Sequence, residues 1–247
     1  MPYDPLFDTD TNKTLMAICT RRLIRNIGIG GIIWGLINVA IGGFAVTVSP
    51  INAGILVLGL LMLGTGIQAL RHPTLNVLLA ETVVTVLLLG WNIAMAVINV
   101  GADDRFDPRG ILFPLVIAIT FAGNYRKLGH LRAHIASVPP EKIAETKKVC
   151  KALLKKKLKQ EPRVVQTSNA RCRAQLLDGQ AFFIQRDMMR AFIGTREEVR
   201  AAVSKPEAKA WTTVFNHPLG KLSYRFDKKQ TAKLRDWLDT ASVPATP

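Results

Sequence analysis

Residues 26–48 read NIGIGGIIWGLINVAIGGFAVTV. No charged side chain interrupts this run. As a helix it is long enough to cross a hydrocarbon core of about 30 Å. Residues 51–70 and 75–100 repeat the pattern, and residues 111–123 form a shorter apolar run. Beyond Asn124 the chain turns polar and basic. These stretches predict an integral membrane α-helical protein, a four-span bundle followed by a small cytoplasmic α+β domain.

The charge is as divided as the hydropathy. Residues 1–123 hold seven Lys/Arg and seven Asp/Glu, so the whole net charge of +15 falls on residues 124–247. Such asymmetry points to an anionic membrane or to the ordinary positive-inside bias. Arg21, Arg22 and Arg25 precede the first span, and Arg126, Lys127 and Arg132 follow the fourth. The turn at Ser49-Pro50 carries no charge, and the loop at 102–109 carries Asp103, Asp104 and Asp107. The expected orientation therefore has both termini and the Arg71 turn in the cytoplasm. The expected location is the cell inner membrane, as a multi-pass protein. The fourth span is the shortest. Extended from Pro108 to Tyr125 it reaches a spanning length, with Pro114 in its first turns, where a missing amide hydrogen costs little. The predicted organisation is an N-terminal cytoplasmic segment over 1–25, the membrane domain over 26–123, a basic connector over 124–160, the soluble domain over 161–240 and a tail over 241–247.

Four polar residues lie within the apolar stretches: Asn38, Glu81, Asn92 and Asn99. Glu81 is the acidic one. An ionisable residue at membrane depth is a functional candidate by default. Glu81 is expected close to the cytoplasmic start of its span, within reach of Arg71 or His72. The alternative to a proton- or ion-handling role is a structural pair with one of them. Span one is rich in glycine, and Gly31 and Gly35 form a small-xxx-small pair that lets helix backbones approach. That pair fits packing inside one bundle, or a homo-oligomer.

The connector predicts two basic amphipathic helices. Leu128, Leu131 and Ile135 form one apolar stripe, flanked by Arg126 and Lys127. After Pro139-Pro140 a second helix carries Ile143, Cys150, Leu153, Leu154 and Leu158 on one face. Lys148, Lys151, Lys155 and Lys159 are among the lysines on its other faces. Lysines just inside a membrane are attracted to anionic headgroups by about 1 kcal/mol each. A solvated face is the competing reading. Nucleic acid is disfavoured, because no aromatic residues interleave with the lysines and no DNA-binding motif is legible.

From Arg163 the pattern predicts strands. Asp178-Gly179 separates two strand-like runs, a hairpin signal. Thr195-Arg-Glu-Glu198 is a capping box that opens a short helix. A second hairpin surrounds His217-Pro218-Leu219-Gly220. Asp227-Lys-Lys-Gln230 opens a terminal helix with Leu234, Trp237 and Leu238 on one face. The order of hairpins closed by a C-terminal helix over residues 163–239 resembles the pleckstrin-homology superfold. The short helix after Thr195 departs from that pattern. The resemblance implies a module that binds a lipid headgroup or a protein segment. Residues from about 141 onward are expected to fold on their own.

No nucleophile elbow, phosphate loop or dinucleotide fingerprint is present. The histidines and three cysteines do not share metal-ligand spacing. The reading is a non-enzymatic membrane protein without metal or cofactor. Its basic domain is expected to bind a protein partner or the anionic lipid surface as a scaffold or regulator. The alternative is a small transporter or channel component that uses Glu81.

Overall fold

The computed structural model describes residues 3–103, 109–129, 164–169, 172–185 and 190–240, together with 139, 141 and 144. The chain forms two compact units. One is Arg21–Gly129, and the other joins Met1–Thr20 to His130–Pro247.

The first unit is helical. Helix α1 runs Asp10–Val48, α2 Ala53–Arg71, α3 Leu75–Asp103 and α4 Arg109–Gly129. Among the described residues, three helical segments are long and apolar enough to cross a membrane: Asp10–Val48, Pro50–Arg71 and Leu75–Ile98. Ser49 and Pro50 end α1 and start a short 3-10 turn, Pro50–Asn52. Pro73 prevents α2 from running into α3, since the residue before proline disfavours the helical region. The outward residues of these helices are large and apolar. Ile33, Leu36, Ile41, Leu60, Leu61, Val86 and Leu87 are all exposed. An apolar exterior around a tight interior is what a lipid environment accepts.

α4 differs from the expected fourth span. It continues without a break past Asn124 to Gly129, so Tyr125, Arg126 and Leu128 belong to it. Pro114 is the sixth residue of α4, past the first turn, so it removes an internal hydrogen bond.

The second unit is built on an antiparallel sheet of order β1-β2-β3-β4. Its strands are β1 Val164–Gln166, β2 Cys172–Leu176, β3 Gln180–Gln185 and β4 Ala191–Thr195. Gly179, at φ 82°, turns β2 into β3. Helix α5, Arg196–Ala201, follows, and its capping box is formed as Thr195 and Glu198 predict. A second hairpin pairs β5, Thr212–His217, with β6, Gly220–Arg225. A bridge from Val203 to Thr213 extends it by one short edge. Helix α6, Lys228–Asp239, closes the unit and buries Leu234, Trp237 and Leu238. Only half of the second expected box forms: the Asp227 side chain accepts from the Gln230 amide.

The run Ala181-Phe182-Phe183 is buried throughout, so both faces of the sheet are covered. Phe183 stacks on Phe192 at 4.8 Å, and both meet the Phe215 ring edge-on. On the opposite face, Phe182 and Ala191 pack with Leu15 and Cys19, which come from the start of α1.

Of the N-terminal segment expected over residues 1–25, Met1–Thr20 belong to the strand-containing unit, while Arg21 onward belongs to the helical one. Asp4 lies alongside β5, its amide donating to the Asn216 carbonyl at 2.9 Å. Asn216 returns a backbone bond of 2.7 Å and a side-chain bond of 3.1 Å to the Asp4 carboxylate. A 3-10 turn, Pro5–Asp8, places Phe7 fully inside the aromatic core, edge-on to Phe192 and His217. Asn12 then bonds both backbone groups of Ile193 on β4, accepting at 2.7 Å and donating at 2.8 Å. β4 is an edge strand, and Asn12 occupies hydrogen-bonding groups that a neighbouring strand would otherwise use.

Candidate functional site

Glycines on α1 and α2 build the strongest site in the helical unit. A Cβ on Gly28 would lie 2.8 Å from the Gly66 carbonyl oxygen. A Cβ on Gly35 would meet the Leu63 amide nitrogen at 2.7 Å, and one on Gly59 would meet that of Val39 at 2.8 Å. Real side chains do not tolerate such distances, so α1 and α2 touch backbone to backbone. Gly31 and Gly35 are thus covered within the chain, and the small-residue stripe packs one copy's own helices. Gly64, also on α2, has open space instead.

Glu81 enters this contact from α3. Its side chain fills the notch at Gly31, where a Cβ would collide with the carboxyl Oε1 and stand 3.6 Å from the Gly66 Cα. Glu81 is fully buried, and neither carboxyl oxygen has a hydrogen-bond partner. The neighbouring hydroxyls on α3 are committed to their own backbone. Thr85 donates to the Glu81 carbonyl at 2.8 Å, and Thr82 donates to the Leu78 carbonyl at 2.8 Å. The expected pair with Arg71 or His72 does not form. Both are exposed at the end of α2, while Glu81 points into the α1–α2 contact.

The other polar candidates are not gathered there. Asn38 is buried two helical turns further along α1, beside Gly59, and its amide donates to the Trp34 carbonyl at 2.8 Å. Asn92 is half-buried on α3, about 16 Å from Glu81 along the axis at 1.5 Å per residue. Among the described residues, no group of three or more His, Cys, Asp or Glu side chains could hold a metal ion.

Of the expected lipid-facing cations, Arg126 is exposed on the last turns of α4. The Lys127 side chain and Lys148, Lys151, Lys155 and Lys159 lie outside the described residues. The strand-containing unit does present a basic hollow that the sequence reading missed. It measures about 240 Å³, and Lys209, Lys228 and Arg235 line it with Glu207. Arg235 is held there over the Trp211 ring at 4.9 Å. Its members come from a loop and from α6, so only the fold assembles them.

Asp4, Phe7 and Asn12 are the structural residues that sequence reasoning missed. A local signal existed. Thr9 caps α1 by accepting from the Asn12 amide, and Leu15, Ile18 and Cys19 follow at helical spacing. That pattern announces a helix with one buried face ahead of the first span.

Comparisons with protein-family models, curated proteins and solved structures find no match to this chain.

Proposed function

We propose that the chain is a four-span membrane protein with both termini in the cytoplasm. Its basic domain serves, without catalysis, as a scaffold or regulator at the inner face of the membrane. The observation that carries this reading is the incorporation of Asp4, Phe7, Asn12 and Leu15 into the domain formed by residues 164–239. Two segments that share one core must lie on the same side of a bilayer. An odd number of crossings would separate them. Three apolar helices therefore call for a fourth crossing, and α4, with 21 residues, reaches about 31 Å at 1.5 Å per residue. Arg21, Arg22 and Arg25 on one flank and Arg126 on the other favour the cytoplasm for that shared side.

The domain's ligand is anionic in this reading, either the headgroups beneath it or an acidic protein segment. The excess of Lys and Arg after Asn124 and the hollow lined by Lys209, Lys228 and Arg235 support that choice. Lysine acetylation of the full-length chain in nanodiscs tests it. Lys148, Lys151, Lys155 and Lys159 should be protected in phosphatidylglycerol and released as salt shortens the Debye length. Equal labelling in neutral lipid would remove the lipid contact. Impermeant thiol labelling on intact cells tests the topology: a cysteine placed at Asp104 should react, and one at Asp178 should not.

The transporter reading has one observation of its own, the buried and unpartnered Glu81 carboxyl.

A further inference from the structure

Glu81 is an acid placed where an apolar residue would serve packing better. The site is made by subtraction: α1 and α2 present Gly31 and Gly66, and the carboxyl occupies the space their side chains leave. Yet neither helix supplies a donor, and the hydroxyls of Thr82 and Thr85 are turned to backbone carbonyls. Charged groups on the packed helices include Arg25 on α1, Arg71 on α2 and Arg126 on α4. All three are exposed, and none bonds the carboxyl. A metal ion would require several more oxygen ligands than this contact offers. The notch has no room beyond the carboxyl itself, because the Gly31 position already abuts Oε1.

We propose that Glu81 is a reversible proton-binding site within the contact of α1, α2 and α3. Uptake forms one O–H bond at a carboxyl oxygen, and release breaks it. The proton comes from water and returns to it, so no redox partner is involved. Glu81 lies six residues into α3, about 9 Å from its start, which keeps the path to water short. This inference is independent of what the soluble domain binds.

Infrared spectroscopy of the full-length chain in lipid nanodiscs tests the proposal. The wild-type protein should show a protonated-carboxyl band that disappears reversibly on titration between about pH 4 and pH 9, the range over which interior carboxyls change charge. The band should be lost completely in Glu81→Gln. If that variant fails to fold, ¹³C-labelling of glutamate in the wild-type chain identifies the band by its isotope shift. Its hydrogen–deuterium exchange should be slower than that of surface glutamates. A wild-type spectrum with no titrating glutamate band would overturn the proposal. So would a band that exchanges as fast as a surface acid, because the carboxyl would then be solvated outside the notch.

Discussion

Gly35 and Phe183 show two opposite ways of closing a core within one chain. Around Gly35 the helices meet because side chains are missing, with backbone atoms closer than any Cβ would permit. Around Phe183 the sheet and the second hairpin meet through rings: Phe192, Phe215 and Tyr224 all lie within 6.0 Å of it, centroid to centroid. The difference matches what a lipid surround for the helical unit and water for the strand-containing unit would favour. Lipid offers no hydrophobic gain for helix association, so close van der Waals contact has to supply it. Water does reward burial, at about 25 cal/mol per Å² of apolar surface, so large rings are the efficient choice. Substitutions should therefore act in opposite senses in the two units. Added volume should harm the first, and removed volume should harm the second.

The largest expected effect comes from removing the N-terminal segment. A fragment from residue 130 onward lacks Phe7, Leu15 and the Asp4 and Asn12 bonds. It should fail to unfold cooperatively in urea, against the expectation that the tail folds alone. A peptide of residues 3–20 added in trans should restore a cooperative transition. Phe7→Ala in the intact chain should cost about 3–5 kcal/mol, the range for a fully buried aromatic. Thiol labelling reports the same loss without denaturant. Burial pushes the Cys172 thiol up to about 12, so little thiolate exists at neutral pH and the native protein should label slowly. In Phe7→Ala, labelling of Cys172 and of the buried Cys19 should accelerate. Unchanged labelling would mean that Phe7 is not part of this core.

In the helical unit the test is to add volume. Gly35→Ala should destabilise the bundle by about 1–3 kcal/mol, since the obstructing Leu63 atoms are backbone and cannot rotate away. Gly43→Ala is the internal control. Nothing lies within 4 Å of its added methyl, and alanine is the better helix former by about 1 kcal/mol. Unfolding in mixed detergent should move in opposite directions for the two. A loss of similar size at both positions would show that the stripe does not discriminate by contact.

An effect of comparable size is expected at the sheet edge. Asn12→Ala leaves the Ile193 amide and carbonyl without their side-chain partner. The cost should be about 1–3 kcal/mol, as for other unsatisfied backbone groups. Hydrogen exchange at Ile193 should accelerate, while exchange in β2 should not change.

What could be read from the sequence divides along the same line. Apolar length declared the three long apolar helices, because hydropathy is local and a helix satisfies its backbone within itself. The hairpins were legible for a similar reason: Asp178-Gly179 and Thr195–Glu198 act over two to four residues. The bonds between Asp4 and Asn216 and between Asn12 and Ile193 join residues 212 and 181 apart, and no periodicity encodes such partners. Glu81 was legible as an anomaly, but its surroundings were not. Gly31 and Gly35 read as packing inside one bundle or as a homo-oligomer face, and only the position of Gly31 and Gly66 against Glu81 on α3 makes a notch.

The capping box at Thr195 sharpens the comparison at its small end. Thr195 accepts from the Glu198 amide at 3.3 Å, and Glu198 returns a 2.7 Å bond to the Thr195 amide. Both groups are at least partly exposed, and the bonds span three residues. Thr195→Ala should cost about 1 kcal/mol, the usual worth of an N-cap. The loss should be confined to α5, seen as faster exchange in residues 196–201, with the Phe183 core unaffected. Helix α5 is also tied to α6, through the Arg200 guanidinium on the Leu238 carbonyl at 2.6 Å and Arg196 over the Trp237 ring at 5.3 Å. These ties should keep α5 in place when its cap is gone. Thr195→Ala combined with Arg200→Ala should therefore exceed the sum of the single losses, because each device limits the fraying that the other permits. Strict additivity would show that the local signal alone holds this helix, independent of its tertiary neighbours.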